Sequence, residues 1–531
     1  MSYPSSSWVL NRKRQKLGRG IPREAGGIII PLVSGTGIDL AARPATGSCC
    51  FIWTAALLLL PCPTAPGQLA TETSLRHLFA KLPDPAAVAG VAVIDLGTGN
   101  PVFLHNADRP LIPASTMKVF VMAAGITELG ENFTFETSLA MSGSDLILIG
   151  DGDPAFGDEK VHRGRGESIT ADLERWADVL LGQGTRAVQN LVLDESIFDE
   201  QRLHPSWEPA DLDNWFAAPV GALNFNDNCV DITLTPAKKP NMPVLVSVRP
   251  EASLIEVLNR CKSGGKGDPV LRHLPASFQY VVSGRCNKPW ALSPVTFPDP
   301  GLLFADAFRQ VLIRKGIRVD GEIRRGRVRL PDGSIPASIT ILDRKQTPLA
   351  DVLRRIGKDS QNLFAECLLK RTGYPWAKHH GQPDPQGTWA SGASAIRETV
   401  RRAGIDADSF VAADGSGLSR DNRCTARQLA AVLCWMHRQP GAALFRESLS
   451  VAGVDGSLRK RLKDVRGQVY SKTGTMRGVR ALAGFVYAPD GRAYAFAAIF
   501  NGYKGGSAPY KEIQDRLCRT LAGASPPQRT K

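Results

Sequence analysis

The amino-acid sequence predicts an α+β fold in which one domain is interrupted by inserted, β-rich material. The chain has 531 residues, more than one hydrophobic core usually supports, so two or three domains are expected, either consecutive or nested. Predicted hairpins lie near both ends of the chain, with helices between them. From about residue 137 to residue 294 the pattern changes to short strands separated by Pro- and Gly-rich loops, which indicates an insertion.

The first segment, residues 1–70, has the features of an export leader. Residues 50–60 (CFIWTAALLLL) form an eleven-residue apolar run, shorter than the roughly 20 residues that a membrane-spanning helix needs. Arg43 precedes the run, prolines follow it, and Ala70 is a candidate cleavage point. We expect a signal region that is removed or disordered; an uncleaved anchor is the alternative.

The elements after the leader follow from their apolar spacing and end signals. Residues 88–111 are expected to form a hairpin, and Pro113 precedes a helix that begins at about Ala114. The insertion contains one predicted helix, near residues 172–181. Later helices are predicted over 301–316, 348–373 with a break at 358–359, 387–404 and 425–439, followed by a closing hairpin over 478–503 and a helix over 509–523.

Charge, cysteines and histidines narrow the classes of function. Seven basic and two acidic residues in the leader carry +5 of the net charge of +14, and the rest is spread over 461 residues rather than concentrated in a patch, so no nucleic-acid partner is expected. The eight histidines show no H-E-x-x-H spacing, and the seven later cysteines show no C-x-x-C, so we expect no metal and no cofactor. Most of these cysteines are predicted to be buried thiols, although Cys261 and Cys286 could pair in an exported chain.

The first candidate catalytic pair is Ser115 and Lys118, at the start of the apolar helix. Residues three apart on a helix share a face, so a neutral Lys118 could accept the proton of the Ser115 hydroxyl. The N–H groups at the helix start would favour an oxyanion. The same S-x-x-K spacing recurs at Ser263, predicted in a loop, and at Ser457, predicted beside a charged and solvated stretch.

A second candidate pair, Ser360 and Asn362, lies where two predicted helices meet. The Ser360 hydroxyl could relay a proton, and the Asn362 amide could hold a substrate carbonyl and a catalytic lysine together. The alternative is that Ser360 only caps the N-terminus of the following helix.

The third candidate segment is Lys472-Thr473-Gly474-Thr475, at the start of the closing hairpin. A lysine on a strand edge can attract a substrate carboxylate, the small Gly474 lets a substrate backbone pair alongside, and the Thr475 N–H could complete an oxyanion hole. The alternative is that Lys472 serves only solubility, as edge lysines often do.

Taken together, S-x-x-K at a helix start, S-x-N, and K-T-G on a strand form a set that resembles the signature of the penicillin-recognising serine enzymes. Ser115 and Ser360 are 245 residues apart, much farther than in class A β-lactamases, and the gap holds the insertion. The sequence is therefore similar to the class C low-molecular-mass penicillin-binding proteins, the D-alanyl-D-alanine carboxypeptidase/endopeptidase family. The resemblance covers roughly residues 75–520 and includes the stretches LILIGDGDPAF, FAAPVGALNFNDN, DGSGLSRDNR and SKTGTMRGVRALAGFV.

The resemblance implies a fold and a set of site residues. The fold would be a transpeptidase/β-lactamase-like domain, with an antiparallel sheet, helices on both sides and a helical subdomain. Its parts would be a leader over 1–70, the catalytic domain over 71–140 and 296–531, and inserted domains over 141–295. The implied roles are nucleophile for Ser115, general base for Lys118, proton and substrate network for Ser360 and Asn362, catalytic and carboxylate-binding lysine for Lys472, and substrate binding for Thr473, Gly474 and Thr475.

The resemblance also implies a substrate, partners and a location. The substrates would be peptidoglycan stem peptides ending in D-Ala-D-Ala, and also cross-links, with β-lactams as covalent inhibitors. The chain would be exported to the periplasm, with a peripheral association with the membrane, and its basic charge would suit an anionic cell wall. A β-lactamase or esterase on the same scaffold, or a noncatalytic peptidoglycan-binding protein, are the alternatives.

Four secondary features of the sequence complete these expectations. Gln361 stands where the family often has Asp, and its side chain is expected to point away from the chemistry. Asp211, Asp213 and the neighbouring Trp215 could bind the amine of diaminopimelate, although surface acidity is the preferred interpretation. Converging in one dry cleft, Lys118 and Lys472 would lower each other's pKa. The polar residues of the loop DGSGLSRDNR, namely Asp414, Ser416 and Ser419, are interpreted chiefly as turn-forming, with a role in lining the cleft as the alternative.

Overall fold

The computed structural model describes residues 66–275 and 277–524, so the leader prediction for residues 1–65 lies outside the described residues. The helices of the described chain are α1 (Pro66–Phe79), α2 (Lys118–Leu129), α3 (Glu159–Arg165), α4 (Ala171–Gly182), α5 (Pro300–Arg314), α6 (Leu349–Lys358), α7 (Asn362–His379), α8 (Trp389–Arg402), α9 (Ala426–Met436), α10 (Ala442–Ser448) and α11 (Ala508–Leu521). None of these described helices is both long enough and apolar enough to cross a membrane.

The strands of the same residues are β1 (Val88–Asp95), β2 (Pro101–His105), β3 (Thr134–Ser142), β4 (Asp145–Ile149), β5 (Ala187–Val188), β6 (Leu191–Asp194), β7 (Cys229–Thr235), β8 (Leu245–Arg249), β9 (Glu256–Asn259), β10 (Lys262–Ser263), β11 (Val270–His273), β12 (Gln279–Ser283), β13 (Arg285–Cys286), β14 (Trp290–Ala291), β15 (Val295–Thr296), β16 (Arg318–Val319), β17 (Ile323–Arg325), β18 (Thr340–Pro348), β19 (Ser450–Val451), β20 (Val469–Met476), β21 (Val479–Tyr487) and β22 (Ala493–Asn501).

The largest sheet joins the two ends of the described chain. Its order is β19-β20-β21-β22-β1-β2, and each neighbouring pair is antiparallel. On one face, Ala481 and Ala497 share a core with α2, α7 and α9. On the other face, Leu482 and Phe496 share a core with α1 and α11, because successive strand residues point to opposite sides. The α+β prediction, with an antiparallel sheet covered by helices on both sides, is confirmed.

A second sheet of five strands has the order β17-β6-β4-β3-β18. Pairs β17-β6 and β6-β4 are parallel, whereas β4-β3 and β3-β18 are antiparallel. Helices α4 and α5 cover one face with a core that includes Trp176 and Phe304. Strand β3 begins before the predicted insertion, β4 and β6 lie within it, and β17 and β18 follow it, so this sheet joins inserted and flanking chain. The predicted domain boundaries stay a prediction.

Small sheets make up the rest of the β-rich region. Strand β7 pairs with β8, β14 and β15, and a three-stranded sheet has the order β11-β12-β9. Val230, Tyr280 and Val282 lie in their common core. Short strands of this kind, separated by loops, are what the pattern over residues 137–294 predicted.

Capping residues explain where several predicted helices begin. Asp299 accepts a hydrogen bond from the Leu302 N–H at the start of α5, and Thr425 forms a reciprocal capping box with Gln428 at the start of α9. Helices α3 and α10 were not predicted, because seven residues are too few to show a helical period. Helix α1 was not predicted either, and it includes residues 66–70 of the expected leader.

Candidate active site

Ser115 and Lys118 lie at the junction between a short 3₁₀ turn and helix α2. The predicted helix start at Ala114 is corrected: Ala114–Met117 form the 3₁₀ turn and α2 begins at Lys118. Ala114 itself has a φ of 46°, which separates it from a regular helix. Residues three apart are eclipsed in a 3₁₀ turn, which brings the Lys118 Nζ to 3.2 Å from the Ser115 Oγ.

The Lys118 amine is fully buried and has three polar neighbours. Besides the Ser115 hydroxyl, its Nζ donates to the Asn362 Oδ1 at 2.7 Å and to the Ser416 carbonyl oxygen at 2.6 Å. The Asn362 amide is itself oriented, because its Nδ2 donates to the Phe216 carbonyl oxygen at 2.7 Å. The structure thus brings Asn362 to the first pair across 244 residues of chain.

Ser360 faces the second lysine and does not cap helix α7. The Lys472 Nζ donates to the Ser360 Oγ at 2.8 Å. Ser360 has a φ of 60°, in the left-handed region, and the N-cap of α7 is Gln361, whose Oε1 accepts from the Asn362 N–H. The alternative interpretation of Ser360 as an N-cap is therefore wrong. The Gln361 Nε2 donates to the Asp227 carboxylate at 2.8 Å, so both polar atoms of this side chain are used away from the two lysines.

Strand β20 carries the third segment directly beside the turn of Ser115. A Cβ atom added to Gly474 would lie 2.8 Å from the Pro113 carbonyl oxygen and 3.2 Å from the Ser115 nitrogen, so only glycine allows this approach. Strand β19 pairs with β20 only at Tyr470 and Ser471. In the described structure the edge at Thr473 and Thr475 is thus left without a strand partner, and Thr475 is exposed.

Burial controls the electrostatics of both lysines. Desolvation lowers the pKa of Lys118 to about 7, against the opposing influence of the Glu366 and Asp414 carboxylates. Desolvation also lowers the pKa of Lys472 well below its ordinary value, and the charge of Lys118 lowers it further. The predicted effect of one lysine on the other is found only for Lys472, and burial is the main cause of the lowered pKa of both.

One acidic residue of the site was missed by the sequence interpretation. Glu366 is buried one turn after Asn362 on α7, and its carboxylate accepts from the N–H groups of Gly415 and Ser416. It thereby positions the Ser416 carbonyl that contacts Lys118. The i,i+4 spacing from Asn362 was the available signal.

Two further serines, Ser457 and Ser416, have contacts at the site that the sequence did not specify. Ser457, predicted on a solvated stretch, is exposed but lies against the third segment, since its Oγ accepts from the Thr473 hydroxyl at 3.0 Å. Ser416 contributes its carbonyl to the surroundings of Lys118, which agrees with the alternative of a cleft-lining loop. Asp213, in contrast, is exposed beside the His273 ring, as expected of a surface acid.

The described chain offers no evident metal centre. Among residues 66–275 and 277–524, no group of three or more His, Cys, Asp or Glu side chains is placed to hold a metal ion. The seven cysteines of this range, including Cys261 and Cys286, are buried free thiols.

Comparisons with known proteins find relatives over most of this chain. The D-Ala-D-Ala carboxypeptidase 3 (S13) family matches residues 71–523. A D-alanyl-D-alanine carboxypeptidase from Actinomadura sp. (strain R39) is 31% identical, with 96% of this chain and 92% of the relative covered. The D-alanyl-D-alanine carboxypeptidase DacB of Haemophilus influenzae is 27% identical, with 82% and 90% covered.

A solved structure of a relative has a similar fold. The crystal structure of penicillin binding protein 4 (dacB) from Haemophilus influenzae has a TM-score of 0.70 at 25% identity, covering 84% of this chain and 99% of that one. The resemblance inferred from three short motifs is thus confirmed over most of the sequence, and the chain belongs to the D-Ala-D-Ala carboxypeptidase 3 (S13) family.

Proposed function

We propose that the protein is a serine D,D-peptidase that cleaves D-Ala-D-Ala stem peptides of peptidoglycan through an acyl-enzyme on Ser115. The observation that carries this proposal is the surroundings of the Lys118 amine. A neutral amine has two N–H donors and one lone pair, and two of its three neighbours, the Asn362 and Ser416 carbonyl oxygens, can only accept. The lone pair is then left for the hydroxyl proton of Ser115.

The reaction follows from this geometry. Lys118 takes the Ser115 proton as the Oγ attacks the carbonyl carbon between the two D-alanines. The C–N bond breaks, the leaving amine takes a proton, and free D-Ala departs. Water then hydrolyses the serine ester, which releases the shortened peptide and restores the hydroxyl.

The second lysine and strand β20 serve the leaving group and the substrate. The Ser360 hydroxyl, held by Lys472, offers a proton route to the leaving amine, and the charge of Lys472 attracts the terminal carboxylate. Thr473 and Thr475 on the free edge of β20 hold the same carboxylate, and Gly474 allows a substrate backbone to pair alongside the strand. The N–H groups of Ser115 and Thr475 would form the oxyanion hole.

The finer parts of the proposal concern substrate range and location. Hydrolysis of cross-links, an endopeptidase activity, would use the same acyl-enzyme. The inserted residues 141–295 would shape access for such substrates, since Phe216 already contacts Asn362. We further propose export to the periplasm through the leader and a peripheral association with the membrane.

β-Lactams should acylate the same serine and stay attached. The ring amide opens when Ser115 attacks, but the leaving nitrogen remains tethered and blocks the path of water. A Haemophilus influenzae relative was crystallised in complex with a novel β-lactam. Slow release of the drug would set the protein apart from a β-lactamase, and hydrolysis of stem peptides would exclude a purely binding role.

Labelling with a fluorescent penicillin tests the proposal. The wild-type protein should become covalently labelled, and Ser115→Ala should lose the label while keeping its thermal unfolding midpoint. The matched control is Ser263→Ala, which removes the serine of another S-x-x-K sequence and should label normally. Equal labelling of wild type and Ser115→Ala, or no labelling of either, would contradict the assignment of the nucleophile.

A further inference from the structure

Arg480 lies directly behind the substrate edge of strand β20. It is the cross-strand partner of Thr475 in the β20-β21 pair, and its Nη1 donates to the Thr475 Oγ1 at 2.5 Å. A guanidinium has donors only, so the Thr475 oxygen must be the acceptor of this bond. The hydroxyl proton of Thr475 is thereby left for a different acceptor.

The charge of Arg480 has no partner inside the described chain. No described carboxylate lies within 4.0 Å of its guanidinium, and the nearby Asp515 is held by Arg461 at 2.6 Å. The Arg480 Nε is buried without a hydrogen-bond partner among the described residues. Burial, and next the charge of Arg461, lower the pKa of Arg480, as expected of a cation that lacks a counter-charge.

An anionic group on the free edge of β20 would supply an acceptor for the Thr475 proton and a counter-charge for Arg480. Thr475 is exposed there and points its available proton away from Arg480, so a carboxylate that accepts from Thr475 would also lie close to the guanidinium. Charge-assisted hydrogen bonds to a partly desolvated cation are stronger than neutral ones.

We propose that Arg480 is a positioning residue that orients the Thr475 hydroxyl and gives the site its preference for substrates ending in a free carboxylate. The inference rests on the proposed function, because it assigns the terminal carboxylate of the peptide or β-lactam to the edge of β20. It adds a specificity role on strand β21 that lies outside the three motifs.

The test compares two acylating agents that differ only in the carboxylate, benzylpenicillin and its methyl ester. Acyl-enzyme accumulates on the protein, so slow second-order acylation rates remain measurable. In Arg480→Met the rate with the acid should fall about tenfold and the rate with the ester less than twofold. With a D-Ala-D-Ala peptide the same change should raise KM more than it lowers kcat, and Arg480→Lys should recover most of the preference.

A double-mutant cycle shows whether Arg480 acts through Thr475. In a Thr475→Val background, Arg480→Met should change the acid rate less than twofold, because the hydroxyl to be oriented is gone. Arg477→Met, which removes the same charge from the exposed hairpin turn, is the control and should keep the preference for the acid. If Arg480→Met is too unstable to assay, Arg480→Gln replaces it. In that variant the ratio of the acid rate to the ester rate should fall at least threefold.

Equal losses with acid and ester, or a full effect of Arg480→Met without the Thr475 hydroxyl, would overturn the proposal. Failure of the proposed function would look different, since the wild-type protein would then react with neither compound.

Discussion

At the scale of single residues, the proposed mechanism depends on keeping one lysine uncharged. Lys118 is enclosed by the apolar start of α2 and by two carbonyl acceptors, and the acids Glu366 and Asp414 lie close enough to raise its pKa. Desolvation outweighs these acids, and the balance places the pKa of Lys118 near the physiological range.

The rate of acylation should therefore rise with pH through about 7 and then level off. Below its pKa Lys118 is protonated and has no lone pair for Ser115, so at pH 6 the second-order rate with a penicillin should be about tenfold below its plateau. Stopped-flow or gel-based acylation rates between pH 5.5 and 9 measure this. An acylation rate that rises tenfold per pH unit up to pH 9 would indicate a base with an ordinary lysine pKa.

The carboxylate of Glu366 provides the control for this profile. Burial raises the pKa of Glu366 itself to about 7, and the charge of its ionised form raises the pKa of Lys118. Glu366→Gln removes that charge at every pH and should therefore move the rising limb toward lower pH. A limb that stays in place in this variant would mean that a different group titrates.

At the scale of elements, the site is a contact between a 3₁₀ turn, the α6-α7 junction and the edge strand β20. The turn sets the spacing of Ser115 and Lys118, the left-handed Ser360 breaks the helix so that its hydroxyl faces Lys472, and Gly474 lets β20 approach the turn. Each element thus contributes a backbone shape as well as a side chain.

Gly474→Ala should separate strand β20 from the nucleophile. The added methyl group would meet the backbone oxygen of Pro113 at 2.8 Å, so the strand or the turn must shift. We expect acylation to slow by tenfold or more, with a stability loss of about 1–3 kcal/mol. Gly506→Ala, where no heavy atom lies within 4 Å of the added carbon, should behave as wild type in both penicillin labelling and thermal unfolding. Acylation of Gly474→Ala within twofold of wild type would contradict this role for the glycine.

The sequence predicted those parts of the site that depend on residues close together in the chain or on the chemical type of a side chain. Ser115 and Lys118 are neighbours on one turn, so their contact follows from their spacing. The Ser416 carbonyl could not be predicted, because a backbone oxygen has no residue signature and lies 298 residues from Lys118. Ser360 was ambiguous because serine suits both an N-cap and a proton relay. Its φ of 60°, its contact with Lys472 and the cap formed by Gln361 exclude the N-cap, and the relay stays a proposal.

At the scale of the whole molecule, the second sheet is tied to the loop after β4 by a buried ion pair. The Lys345 Nζ on β18 lies 2.7 Å from the Asp153 Oδ2, and the Thr347 hydroxyl donates to the same carboxylate oxygen at 2.6 Å. Both charged side chains are almost completely buried, so neither can be solvated if the other is removed.

Lys345→Met should destabilise the protein by about 3–5 kcal/mol, because it leaves the Asp153 carboxylate buried without a counter-charge. Urea unfolding followed by fluorescence measures this loss. The matched control is Lys315→Met, which breaks an exposed pair with Asp178 and should cost less than about 1 kcal/mol. Similar small losses in both variants would show that the buried pair contributes little.

The order of strands in the large sheet has a consequence for how the enzyme matures. Strand β1, near the start of the described chain, pairs with β22, which ends at Asn501, and β20 is held in place through β21 and β22. Contacts so distant in sequence form late, because a long loop must close first. Ser115 precedes Lys472 in the sequence, so it emerges from the ribosome long before Lys472 does. The candidate site can assemble only when almost the whole polypeptide is available to fold.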